Sequence, residues 1–399
     1  MLGLSGAETA SGAIVSMTSV LINAISVKEG GSLIVLQNLL AEMSLQRPGW
    51  QWHVATNSVA RARLPDLPRT TFHLFTDQQL AGWKMGLWYE ACLPRLIRQV
   101  QADLLFSQTN YLPVRQLPCS ALLLVQHAGH FSAIFKRLTE EQFPGWPARV
   151  SWRLKGGWVK SSVRRAQCVT VQTDALAQRI VEETGVPHDR LCVIPHGAGQ
   201  AIQREHSTVH PGRGKQVRIG YITKYGVQKN FSVLFAALAE LKLSGIRSVL
   251  VLTLSPEIKE NQEILRIAEQ YGVLQSIENH GELETSEIDA LYRSLHLFVF
   301  PSLCESFGFP MVESMSYGLP LLISDTDSNI EVAGEAGIRF KADDASALAA
   351  SILQLIEDPL YFQSCCIASR RRADFFSWDR AAKATLEQMD RMIGSRDYK

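Results

Sequence analysis

No Cys-x-x-Cys pair occurs among the seven cysteines, which lie scattered at Cys92, Cys119, Cys168, Cys192, Cys304, Cys365 and Cys366. An odd, unclustered set argues against a zinc ribbon and against a disulfide framework. It suits thiols used as small apolar fillers in a reducing compartment. Nor is one sign of charge in excess: 40 Lys and Arg stand against 39 Asp and Glu. A general nucleic-acid binder carries a strongly basic domain, so that role is excluded. The apolar run at residues 15–25 is too short to span a bilayer, and no Lys or Arg precedes it to make a signal peptide. A cytoplasmic location is expected. Internal repeats, low-complexity tracts and heptads are missing as well, which removes solenoids and coiled coils. What is there is 399 residues, 46% of them hydrophobic, a length that predicts two cores.

Short apolar runs alternate with helical periodicity. Strands are expected at 20–26, 52–55, 71–75, 103–107, 121–126, 168–172 and 191–194, with helices that include 83–101 and 173–183 between them. From Gly197 to Gly214 the chain loses periodicity and turns polar and glycine-rich, as a linker does. The alternation then restarts, with strands 217–222 and 248–254, helices 231–242, 256–271 and 287–294, and a strand at 297–300. The tail from Asp344 reads as three helices, 345–357, 360–372 and 380–392. Such α/β alternation predicts doubly wound parallel sheets, with ligands outside the carboxyl ends of the strands. The expected division is an N-terminal domain 1–198, a linker 199–214 and a C-terminal domain 215–399 whose last helix packs back on the first. Residues 1–17 read as a loose extension.

The densest signal runs from His296 to Asp325 and reads strand, loop, helix, strand. Pro310 suits a first helical position and Gly318 a cap, which puts the N-cap on Phe309. Phenylalanine has no oxygen for the first helical amides, and Gly308 lets a ligand approach them, as a phosphate or a sugar hydroxyl requires. Two carboxylates, Glu305 and Glu313, flank this loop. Elsewhere Lys229 opens a helix, where a cation opposes the dipole unless an anion sits on the amides. Gly30 and Gly31 follow the first strand and either cradle a phosphate or serve a turn that needs positive φ. His127 and His130 bracket a glycine at a strand's carboxyl end, as core or cap residues or as catalytic ones. Asn110 reads first as a turn residue. Asp325-Thr326-Asp327 has a metal-motif spacing, but a turn-rich setting favours a structural role. Between Phe131 and Cys168 eight basic residues meet two acidic ones, with Phe131, Phe135, Phe143, Trp146, Trp152 and Trp158 interleaved. That segment is either a face for an anionic membrane or a lipid-diphosphate, or a solvated basic helix with its aromatics turned inward.

Pro301-Ser302, Glu305-Ser306-Phe307-Gly308, Pro310, Glu313, Met315, Gly318 and Pro320 stand in one unbroken register. In that register the chain resembles the group 1 glycosyltransferases, retaining GT-B enzymes related to glycogen and sucrose synthases. The resemblance implies two Rossmann-like domains facing each other across a cleft. It implies transfer of a hexose from a nucleoside-diphosphate sugar to a carbohydrate or lipid-linked hydroxyl, with no metal, no cofactor and no nucleic-acid partner. It puts Glu305 on the donor sugar, Glu313 on the ribose, Lys229 on the diphosphate, His127 at the reacting sugar and Gly281 beside the nucleobase. Gly30, Gly31, Phe307, Gly308 and Phe309 complete that donor site, and Pro195-His196-Gly197 marks the hinge. Glu331 falls at a family position of little chemical consequence. One departure stands out: the family's arginine after the preceding strand is missing and the loop is longer, so Lys224 is the expected substitute. By family habit the product is a surface polysaccharide or glycolipid, made at the inner face of the membrane. Two rivals share the fold, a sugar-nucleotide epimerase or phosphorylase and a non-catalytic scaffold subunit.

Overall fold

A computed structural model describes residues 17–76, 83–143, 145–199 and 208–394. Two parallel sheets organise them. The first runs β3-β2-β1-β4-β5-β6-β7, built from β1 (Ser19–Asn23), β2 (Gln51–Asn57), β3 (Thr70–Phe75), β4 (Leu104–Ser107), β5 (Ser120–Leu124), β6 (Cys168–Val171) and β7 (Leu191–Val193). The second runs β10-β9-β8-β11-β12-β13, from β8 (Val217–Tyr221), β9 (Ser248–Leu252), β10 (Ile277–Asn279), β11 (Leu297–Phe300), β12 (Leu321–Ser324) and β13 (Gly337–Phe340). This is the two-domain GT-B arrangement. Strand order reverses between β1 and β4 and between β8 and β11, and ligand crevices open at such switch points. The loops leaving these four strands carry Gly30-Gly31, Asn110, Lys229 and Glu305 respectively.

The central strands are apolar on both faces because helices cover both. Val20, Leu21, Ile22, Leu297, Phe298, Val299 and Phe300 all have no exposed surface. The C-terminal helix Trp378–Gly394 crosses back to the first domain, where Ala382, Leu386 and Met389 join the core of Leu36, Leu40 and Phe106. Two successive crossings therefore tie the domains together. None of the described helices is long and apolar enough to cross a membrane.

Several elements depart from the expected ones. The helix expected over 83–101 is Trp83–Leu87 and Leu93–Gln99 with a π-turn, Trp88–Cys92, between them. Pro94 is the reason, since proline within a helix removes an amide and crowds the carbonyl four residues back. The first strand ends at Asn23, not 26. Among the elements that were not expected are β10, β13 and the helix Asp327–Ala333. The helix of the central motif starts at Phe309, so its N-cap is Gly308, in left-handed conformation with φ of 82°, and not Phe309. Most of the extension, 1–16, and residues 200–207 of the linker lie outside the described residues.

Candidate active site

Both sheets turn their carboxyl ends to one cleft of about 1200 Å³. On the C-terminal wall Lys229 Nζ lies 2.7 Å from Glu305 Oε1, with side chains only 13% and 15% exposed. Ser302 Oγ donates to the same carboxylate oxygen at 2.6 Å, and the Lys229 ammonium also sits over the Phe300 ring at 5.5 Å. Asn230, in left-handed conformation with φ of 48°, turns the chain into the helix Phe231–Leu243 just after the lysine. A cation and a carboxylate are thus held at the mouth of the β8–β11 crevice, beside the uncapped N-terminus of Phe309–Ser316. That array can neutralise an anion and accept hydrogen bonds from hydroxyls.

Glu313 is deeper. Tyr292 donates to its Oε2 at 2.7 Å, and burial raises its pKa above the usual carboxylate range, the phenol bond only partly offsetting this. A Cβ on Gly199 would collide with Glu313 Oε1, so any side chain there must displace that carboxylate. Lys224 reaches Glu29 of the first domain and Glu282 of the second, each at 2.8 Å. Desolvation works against its charge, but the two carboxylates outweigh that and raise its pKa. The expected substitute cation thus bridges the domains at the rim. Gly281, with φ of 73°, lines the cleft one residue before Glu282.

On the opposite wall Gly30 needs its positive φ of 63°, while Gly31 faces Phe309, whose ring a Cβ would meet at 3.2 Å. The glycine pair therefore serves both the turn and a close interdomain approach. His127 lines the cleft, and its Nδ1 accepts from the Gly129 amide at 3.1 Å. Desolvation lowers its pKa, so the ring is neutral and its proton is on Nε2. His130 instead stacks on Trp152 at 4.5 Å, and burial together with His127 and two lysines pushes its pKa down to about 3. Asn110 is a turn residue, φ 65°, whose Oδ1 accepts from the Gln126 amide at 2.7 Å, and it lines the cleft too.

Two predicted donor contacts are used differently. The Phe307 and Phe309 rings pack with His196, Phe309 stacking on it at 5.8 Å and 3°, and Trp378 stacks there as well at 5.3 Å. Both rings are engaged in this packing, and both residues also line the cleft. His196 therefore does more than shape a hinge, since it is the centre of an aromatic stack. Gly197 lies against Trp378 too closely for any Cβ.

Glu331, read as a position of little chemical consequence, has a structural role. Its carboxylate accepts from the backbone amides of Asp174 and Ala175 at 2.7 and 2.8 Å, capping the helix Asp174–Thr184 from the other domain. Ser306 Oγ donates to Gln126 O at 2.8 Å, and Asp327 pairs with Arg179 at 3.4 Å. Asp325 accepts from the Ala342 amide, so both acids of the Asp-x-Asp spacing have structural partners. Sequence reasoning also missed Gln172, which lines the same cleft as His196. Both are buried and lack hydrogen-bond partners among the described residues.

In the basic segment Phe131 and Phe135 are buried, Trp152 and Trp158 half-buried, and Phe143 and Trp146 exposed. Lys160 pairs with Glu183 and Arg164 donates to Thr184 O. The inward reading holds for most of its aromatics and the outward one for two.

Residues 203–372 match the family described as Glycosyl transferases group 1, and residues 30–198 match Glycosyltransferase Family 4. Together they take in most of both domains and leave out β1 and the C-terminal helix. A serotype-specific mannosyltransferase, WbdA, of Escherichia coli is 27% identical over 240 residues, 58% of this chain and 29% of that protein. The chain thus matches less than a third of that relative's length. Among solved structures, sucrose-phosphate synthase from Thermosynechococcus elongatus superposes with a TM-score of 0.70 at 17% identity, covering 95% of this chain and 100% of the other. Anabaena HepE in complex with UDP-glucose gives 0.70 at 16%, covering 93% and 99%. At these identities the likeness is one of fold.

Proposed function

Since the chain belongs to the group 1 glycosyltransferases, we propose that it moves a hexose from a nucleoside-diphosphate sugar to a hydroxyl acceptor, with retention and without a metal. The observation that carries this reading is the Lys229–Glu305 pair, 2.7 Å apart at the β8–β11 switch point and in one cleft with His127. Mannose is the sugar favoured by the name of the E. coli relative, and UDP is the nucleotide carried by the sugar bound to HepE. A surface polysaccharide or glycolipid acceptor, presented at the cytoplasmic face of a membrane, accords with the exposed Phe143 and Trp146.

In this reading Lys229 and the amides at the start of Phe309–Ser316 stabilise the diphosphate as its bond to the sugar breaks. Glu305 binds donor hydroxyls, and the buried Glu313 takes the ribose. They are binding carboxylates, not the acid–base pair of a hydrolase. Neutral His127 donates from Nε2 to the reacting sugar. The departing phosphate oxygen takes the acceptor's proton on the same face, so no protein base is required. The interdomain bonds of Glu331, Ser306 and Lys224 keep the walls together and exclude water that would hydrolyse the donor.

The test is a thermal-shift screen against nucleoside diphosphates and their sugars in EDTA. Binding at a hundredfold excess over Kd stabilises by about 2.7 kcal/mol, and one base is expected to shift the midpoint in wild type but not in Glu313→Ala. A silent screen rejects the enzyme in favour of a non-catalytic scaffold. An altered free nucleotide sugar as the product points to an epimerase, and a need for inorganic phosphate to a phosphorylase.

A further inference from the structure

Beside the cleft lies a second cavity, of about 380 Å³. Pockets of roughly 300–1,000 Å³ enclose small ligands. Its first-domain walls are the helices Ala133–Gln142 and Trp146–Arg165, which bring Phe135, Phe143 and Trp152. Its roof comes from the other domain: Tyr225, Gly226 and Val227, in the loop between β8 and the helix Phe231–Leu243. Tyr225 lines the cleft as well, so the two spaces share a wall. A second link is His127, whose ring lies 5.2 Å from that of Phe135 and 6.0 Å from that of Trp152.

The chemistry of the cavity is mixed in a specific way. Its floor is aromatic, yet Arg149 and Lys155 line it against a single acid, Glu140. Gly226 has no positive φ to demand a glycine, and a Cβ there would first meet the flexible Gln228 side chain. The missing side chain therefore keeps space open in the roof. Phe143 remains 41% exposed at this cavity. An aromatic floor with a cationic lining complements an amphiphile that carries an anionic group, and not a bare sugar.

We propose that this cavity receives the apolar tail of the acceptor, joined to its sugar through a phosphate-type link that meets Arg149 and Lys155. The assignment rests on the transferase reading and adds the class of acceptor. The tail then lies across Phe135 and Trp152, and the reacting hydroxyl faces His127 behind them. The loop that holds Tyr225, Gly226 and Val227 closes the tail in.

The experiment is isothermal titration of the full chain with n-alkyl monophosphates from hexyl to dodecyl, each below its micelle concentration. One site is expected, tightening about threefold to fourfold per methylene until the cavity is full. Ala148→Trp places a ring in the cavity from an exposed helix position. It is expected to weaken dodecyl phosphate at least tenfold while leaving nucleoside-diphosphate binding unchanged. Lys155→Gln should weaken the phosphate but not the alcohol of equal chain length. Absent or non-saturating binding, or binding indifferent to Ala148→Trp, overturns the proposal. So does association with anionic phospholipid vesicles as the sole response, which would make the segment a membrane face. Nucleotide titration is a separate arm: its failure with alkyl phosphate still bound rejects the transferase and leaves the cavity an amphiphile site.

Discussion

Lys229 and Glu305 hold each other before any ligand arrives, and that pre-pairing shapes what removing either should do. Glu305→Ala leaves a barely exposed ammonium with its carboxylate gone, and Ser302 Oγ keeps only its longer bond to Gln228 O. Turnover at saturating donor is expected to fall by about two to three orders of magnitude, measured by initial rates, while a folded protein persists by circular dichroism. Gly199 makes a sharper local test. Gly199→Ala must push the Glu313 carboxylate away from its place, costing about 1–3 kcal/mol of stability and raising the donor KM. A donor KM equal to wild type would show that Glu313 is not a donor ligand. His196 is one of the buried histidines that make stability depend on pH. Burial lowers its pKa to about 3, so the folded state refuses a proton that the unfolded chain accepts near its ordinary value of about 6.5. Its contribution to stability is therefore complete above that value and is lost as pH falls toward 3. His196→Phe keeps the stack with Phe309 and Trp378 but cannot titrate. Urea titrations from pH 7 to pH 4 should show a shallower acid loss in this variant than in wild type.

Among elements, the helix Asp327–Ala333 illustrates what a one-dimensional reading leaves out. Its Glu331 works through partners 157 and 156 positions away, and no local pattern marks a carboxylate for such a role. Glu331→Ala should cost about 1–2 kcal/mol, the scale of a helix-terminus charge with two charge-assisted bonds. Faster hydrogen exchange at the Asp174 and Ala175 amides would accompany it, and unchanged exchange would refute the cap. The strands split along a physical line. β8, β9, β11 and β12 are interior, nearly wholly buried and read from their apolar runs. β10 and β13 are the two edges of their sheet, and Ile277–Asn279 is only half-buried while Gly337–Phe340 holds a glycine and an arginine. Edge strands need less apolar surface, so their sequences signal less. The Glu305–Glu313 loop was legible because its glycine, proline and acids are adjacent in the chain. The Phe307–His196–Phe309–Trp378 stack was not, because three separate segments build it.

For the whole molecule, the C-terminal helix matters most. Ending the chain at Ser377 would strip Ala382, Leu386 and Met389 from the first domain's core and expose an apolar face. Such a truncation is expected to lose the cooperative thermal transition of the first domain and to aggregate, measured by calorimetry and light scattering. A truncated chain that melts like wild type would mean that the helix is an accessory.

The return crossing has a mechanical consequence. The chain passes between the domains beside Gly197 and again beside Trp378, and the two passages touch, Trp378 Nε1 donating to Ala198 O at 2.6 Å. A single tether would let one lobe swivel and twist on the other. Two tethers clamped side by side act as an axle: rotation about their common line stays soft, and torsion across it is resisted. Each closing stroke then returns Lys229 and Glu305 to the same registration with His127, so the accuracy of an assembly split between two bodies is set by the bearing on which they turn.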